Sequence, residues 1–171
     1  MIQKEKLFGL GPGRLYIAPP EMSEKEAMSL ACYAGPTKDG VTLFTESRIH
    51  EITDADGVLI RSIRYGERLR LTGKFSRLYP QVIARALGLE EHGTEILFGQ
   101  YGKGGRGARL RVVLVCTLPE EAGGTEMRFS MTAGITSPFR LPMNGEREGG
   151  IPFTLTAETD GAGFSGRLVF E

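Results

Sequence analysis

Two glycine triplets in this chain have the spacing of a loop that cradles phosphate: Gly102, Gly104 and Gly107, then Gly161, Gly163 and Gly166. A dinucleotide site needs such a loop to open a helix, so that the helix N-terminus faces the pyrophosphate. The first triplet runs instead into the strand-like Arg109 to Thr117, and the second has only five residues after it. Both read as loop glycines. Lys103 lacks the second-glycine context and the following Ser or Thr of a phosphate-binding P-loop. His50 and His92 each stand alone among charged residues, without the Asp, Cys or second His that general-base or metal chemistry requires. Cys32 and Cys116 lie far apart with no ligand or redox spacing, which reads as two buried free thiols in a reducing compartment. Glu120-Glu121 and Glu146 to Glu148 read as solvated loop charges. These residues imply no catalytic set, no metal and no cofactor, and the expectation is a protein that is not an enzyme.

The remaining candidate is a basic face. Arg68, Arg70 and Lys74 alternate with apolar residues, and Arg61, Arg64 and Arg77 are close in sequence. With Lys103, Arg106 and Arg109 they could form a phosphate-binding patch on a β-barrel. The interleaved residues are aliphatic, however, and Tyr65, Phe75 and Tyr79 are the only aromatics of the block, so a base-stacking platform is lacking. Lys plus Arg and Asp plus Glu are equal at 21 each, so no global charge draws the chain to nucleic acid or to a membrane surface. The stripe reads first as a solvated face, next as a contact with acidic residues of another subunit, and last as a nucleic-acid site.

The elements that carry these residues follow from local pattern. Val41 to Phe44 is β-like, Asp54-Ala55-Asp56-Gly57 is a turn signal, and the chain returns through Val58 to Ile63. Leu69, Leu71, Gly73 and Phe75 alternate with Arg68, Arg70, Thr72 and Lys74, the period of a half-buried strand. A short helix runs from Pro80 to Gly88, with Val82, Ile83, Ala86 and Leu87 as its apolar stripe. The intervening arm, about 46–65, carries Ile49, Ile52, Val58, Leu59, Ile60 and Ile63, more large aliphatics than a solvated loop requires. Its Arg48, Glu51, Asp54, Asp56, Arg61 and Arg64 would set register between subunits.

Elsewhere, residues 1–13 read as a short arm and Arg14 to Ala18 as a strand. Residues 21–35 are open between a helix, with Ser23 and Glu26 as a capping box, and a loop leading into a strand. Thr94 to Phe98, Met127 to Thr132, Ile151 to Ala157 and Gly166 to Phe170 are further strands, and Arg109 to Thr117 is one buried on both faces. Together these predict a single domain over 1–171: a mainly-β antiparallel sandwich or barrel of about seven or eight strands, with one short packed helix and a long protruding hairpin arm. A chain of 171 residues buries roughly 70% of its unfolded surface on folding. No apolar run reads as a signal peptide or a membrane span, so a soluble, cytoplasmically made protein is expected.

The order of these segments resembles the major tail tube proteins of long-tailed bacteriophages. Asp39 to Leu43 looks like that family's "DGVTL" strand, Glu51-Ile52-Thr53 like its acidic segment, and Ala86-Leu87-Gly88 like the end of its helix. Gly11 to Pro19 looks like its first strand and Gly150 to Gly161 like its late strand, so the resemblance spans most of the chain. It implies a homo-oligomer: hexameric rings, stacked into a tail tube through which DNA passes, the arm touching the next ring. The implied partners are copies of the chain and other tail proteins, with neither specific nucleic-acid binding nor a membrane. The implied location is the host cytoplasm during assembly and then the virion tail, and a prophage or tailocin origin is equally open. The alternatives are a nucleic-acid-binding β-barrel using the basic stripe, or another tail component such as a terminator or baseplate protein.

Overall fold

A computed structural model of the chain describes residues 2–10, 12–76, 79–87, 91–92, 95–96, 109–118, 124–135, 150–159 and 163–171. It is mainly β, with eight strands in one antiparallel sheet. Strands β1 (Ile2–Leu10) and β2 (Gly13–Ala18) lie one after the other along the same edge of β3 (Tyr33–Thr53). Ile2 pairs with Arg48 and Leu10 with Val41, then Arg14 with Pro36 and Tyr16 with Tyr33. Next to the junction between the two strands, Thr37 Oγ1 accepts from the Gly13 N–H at 2.9 Å and donates to the Gly13 carbonyl at 3.3 Å. A buried side chain therefore satisfies backbone groups that the interrupted ladder would leave unpaired.

The other edge of β3 pairs with β4 (Leu59–Phe75) from Thr37↔Phe75 out to Thr53↔Leu59. Arg70 to Phe75 of β4 pair in turn with β9 (Ile151–Ala157). β9 pairs with β8 (Glu126–Ile135), β8 with β7 (Leu110–Thr117), and β7 with β2. The path β3-β2-β7-β8-β9-β4 thus returns to its start, a barrel-like closure in which, among the described residues, each strand of the ring pairs with the next. Outside this ring lie β1 and β10 (Arg167–Phe170), the latter paired with Met127 to Ser130 of β8. A two-strand hairpin, β5 (Glu91–His92) with β6 (Glu95–Ile96), stands apart.

Period-two alternation decides what faces the interior. Leu15, Ile17, Val41, Leu43, Leu71, Phe129, Met131, Phe153 and Leu155 fill it from five strands. β7 is buried on both faces, as its unbroken apolar run requires: Leu110, Val112, Leu114 and Cys116 point inward, while Val113 and Val115 pack beneath residues 18–32 with Ala18, Ala27 and Cys32. Both cysteines are buried and neither is in a disulfide, and burial raises the Cys116 thiol to about 11.

Residues 21–35 use both readings in succession. Helix α1 (Glu24–Ala27) starts at the capping box, with Glu26 N–H donating to Ser23 Oγ and Ser23 N–H donating to the Glu26 carboxylate. The Ser23 hydroxyl, and secondarily its backbone N–H, hold the Glu26 carboxyl below its usual range. One 3-10 turn (Leu30–Cys32) then leads directly into β3. Helix α2 (Pro80–Leu87) buries Val82 and Ala86 in the same cluster as Leu71, with Leu69 packed against it. The side chains of Ile83 and Leu87, and Gly88 as a whole, lie outside the described residues. Arg85 Nη1 donates to the Ile17 carbonyl at 2.9 Å and to the Ala31 carbonyl at 3.3 Å, tying the helix to β2 and to the 3-10 turn.

Two segments differ from the sequence expectation. Residues 2–10 form a strand rather than a loose arm, because an edge of β3 is there to pair with and ladder hydrogen bonds need no apolar pattern. The runs Val58 to Ile63 and Glu67 to Phe75 belong, from Leu59 onward, to a single strand. Gly66, at φ 64°, joins them through a bulge where the register shifts between Glu46 and Arg48.

Candidate functional site

The Gly66 bulge marks where the chain leaves the ring. Beyond it β3 and β4 continue as a paired ribbon out to Thr53 and Leu59, and every residue from His50 to Arg68 is exposed. At about 3.3 Å per residue the ribbon reaches roughly 25 Å past the bulge. Asp54 closes its tip: its backbone pairs with the Val58 carbonyl and the Gly57 N–H, and its Oδ1 accepts from the Asp56 and Val58 N–H groups at 3.0 and 2.8 Å. Gly57 supplies the left-handed residue at φ 80°.

The aliphatics singled out on the arm lie on this ribbon. Ile52, Val58, Leu59, Ile60 and Ile63 are 37–65% exposed, and Tyr65 is half exposed, so the domain itself does not cover them. Cross-strand partners share a face. The pairs Arg48↔Tyr65, His50↔Ile63 and Ile52↔Arg61 therefore form one face, and Ile49↔Arg64 and Glu51↔Ser62 the other. Both faces carry apolar side chains. Among the described residues, β1 and the 59–69 part of β4 each pair along one edge only.

The basic row lies on the outer side of β4, since Leu69, Leu71 and Phe75 of the alternate set face the core. Arg70 Nη1 pairs with Glu46 Oε1 at 2.9 Å, Lys74 Nζ sits 3.8 Å from Asp39 Oδ2, and Arg68 is cross-strand from Glu46. The row is thus interleaved with carboxylates from β3. Of its proposed extension, Arg109 pairs with Glu158, 2.5 Å from Nε to Oε2, while Arg77, Lys103 and Arg106 lie outside the described residues. So do the glycine triplet at 102–107, Gly161, the loop glutamates at 120–121 and 146–148, and the side chain of His92. His50 is exposed on the ribbon. Among the described residues no group of three His, Cys, Asp or Glu could hold a metal ion, and no helix is long and apolar enough to cross a membrane.

The sequence reading missed a groove on the other side of the ring. Its floor is the outer face of β8, with Arg128, Ser130 and Thr132; α1 forms one wall, and residues 164–169 the other. Register places the pieces: Arg111 is cross-strand from Thr132, and Arg167 from Ser130. The Ser130 hydroxyl donates to Glu24 Oε1 at 2.5 Å, and Arg128 pairs with Glu171. Gly166 lets the second wall close down, since a Cβ there would meet Leu69 at 2.8 Å and Phe129 at 3.0 Å. The cavity between α1 and Phe164 measures about 400 Å³ and continues into a second, of about 490 Å³, between α1 and β10. Arg111 Nε is buried without a hydrogen-bond partner, and Arg167 has no carboxylate partner among the described residues. Single arginines on three separate strands leave no local signal; only strand pairing gathers them. No protein-family model matches the chain, and no curated protein matches it at a significant level.

Proposed function

We propose that this chain is a structural subunit that assembles with copies of itself into stacked, six-membered rings, forming a phage or prophage tail tube for DNA passage. The observation that carries this reading is the ribbon arm, which leaves Ile52, Val58, Leu59, Ile60 and Ile63 uncovered on a preformed scaffold. An isolated hairpin exposing that much apolar surface is stabilised by a further surface, and the chain's own domain does not provide it. The single-sided edges of β1 and outer β4 support the same reading, because a neighbour can pair with them and remove edges that otherwise invite aggregation. Assembly takes place in the host cytoplasm, with other tail proteins joining later, and the product is the virion tail. The basic row, interleaved with Glu46 and Asp39, serves contacts between subunits and does not hold DNA. Electron microscopy of the purified protein across a concentration series tests this: rings or tubes are expected, and a protein that stays monomeric at millimolar concentration overturns it.

A further inference from the structure

Resting on that reading of self-assembly, we infer that the groove between α1 and β10 is the acceptor for the arm tip of a second copy, with Asp56 entering between Arg111 and Arg167.

Charge supplies the first argument. Residues 51–58 carry Glu51, Asp54 and Asp56 and no cation. Asp54 is engaged in closing the turn, which leaves Glu51 and Asp56 without a cation among the described residues. The groove has the opposite balance. Glu171 pairs with Arg128 and Glu158 with Arg109; among the described residues Glu24 accepts from the Ser130 hydroxyl and pairs with no cation, against three cations, Lys25, Arg111 and Arg167, that pair with no carboxylate. Arg111 donates from Nη2 to the Pro20 carbonyl at 3.4 Å and pairs with no carboxylate among the described residues, so an incoming carboxylate would add charge-assisted hydrogen bonds at its guanidinium.

Shape supplies the second. The tip is a tight turn flanked by Ile52 and Val58, small enough for a cavity of about 400 Å³ whose rim carries the 69%-exposed Phe164. Because the turn is already hydrogen-bonded, little ordering entropy opposes docking.

Topology supplies the third. In the ring β3-β2-β7-β8-β9-β4 the arm springs from β3 and β4, and the groove lies on β7 and β8, diametrically opposite. A ribbon paired to its tip does not fold back across the ring, so donor and acceptor meet only between molecules. Different patches on opposite sides make a head-to-tail contact, which generates rings or open stacks rather than a closed two-fold dimer.

The experiment is a charge swap in the full chain: Asp56→Arg, Arg167→Asp, and both together, with melting temperature as the folding control. Each single reversal should raise the protein concentration needed for assembly by about tenfold or more, and the double should recover most of the loss. Zero-length carbodiimide coupling of the wild type, read by mass spectrometry, gives a second readout that needs no variant: a cross-link between the 51–58 segment and Lys25 is expected only in the assembled fraction. If wild type assembles while both single reversals assemble normally, or the double behaves no better than the singles, the acceptor assignment is overturned and self-assembly stands. If variants misfold, the presence or absence of that cross-link decides. A wild type that never assembles overturns both readings.

Discussion

Gly73 on β4 lies against Phe153 on β9 so closely that a Cβ added to the glycine would stand 2.8 Å from Phe153 Cζ and 3.3 Å from Val41 Cγ2. Phe153 has no easy retreat, being buried and packed at a tilt against Phe75 with ring centroids 4.5 Å apart. Gly73→Ala gains a little by stiffening the unfolded chain, but overpacking a closed core costs about 1–3 kcal/mol and wins. A melting temperature lowered by several degrees is expected, with Gly73→Val worse. An unchanged transition would mean that the β4–β9 seam is looser than described.

Excision of the arm separates folding from assembly. Replacing Ile52 to Leu59 with a short Gly-Ser connection removes only exposed side chains and leaves the ladder from Thr37↔Phe75 to Glu46↔Arg68 intact. The melting transition should stay near that of the wild type while assembly, followed by light scattering and microscopy, is lost. Unfolding would assign the ribbon to the domain's own stability; persistent tubes would remove it from the assembly.

For the basic row, weak DNA binding is the expected outcome. Arg70 and Lys74 are partnered by Glu46 and Asp39, so few phosphate charges could be neutralised and the steep salt dependence of a true binder should be missing. Fluorescence anisotropy with short single- and double-stranded DNA at low salt checks this. Micromolar binding abolished by reversing Arg68, Arg70 and Lys74 together would transfer the function to a nucleic-acid-binding barrel.

Cys116 should be inert in the native protein, because burial raises its thiol to about 11 from an ordinary 9.0. The folded state retains this proton where the unfolded chain has already lost it. Its contribution to stability is therefore fully present below pH 9 and declines as pH rises from about 9 towards 11. Thiol labelling at pH 8 should track global unfolding in denaturant, and Cys116→Ala should flatten the alkaline loss of stability. Rapid labelling of native protein would show the site to be open.

Local chemistry along the chain was enough to determine several elements. The alternation from Arg68 to Phe75, the unbroken apolar run of β7, the Asp54–Gly57 turn and the Ser23–Glu26 capping box each depend on neighbours one to four residues away. Backbone geometry translates such spacings directly into which face is buried or which N–H is satisfied. The aliphatics of the arm were legible as a surplus for the same reason, though not that they would stand uncovered on a paired ribbon. Only the tertiary structure decided what depends on distant partners. Residues 2–10 became a strand because β3 offered an edge, β4 met both β3 and β9 so that the sheet closed, and Arg111, Arg128 and Arg167 met through the β7–β8 and β8–β10 registers, although Arg111 and Arg167 stand far apart in sequence. No local pattern encodes those meetings, because pairing is settled by the total apolar surface that closure buries.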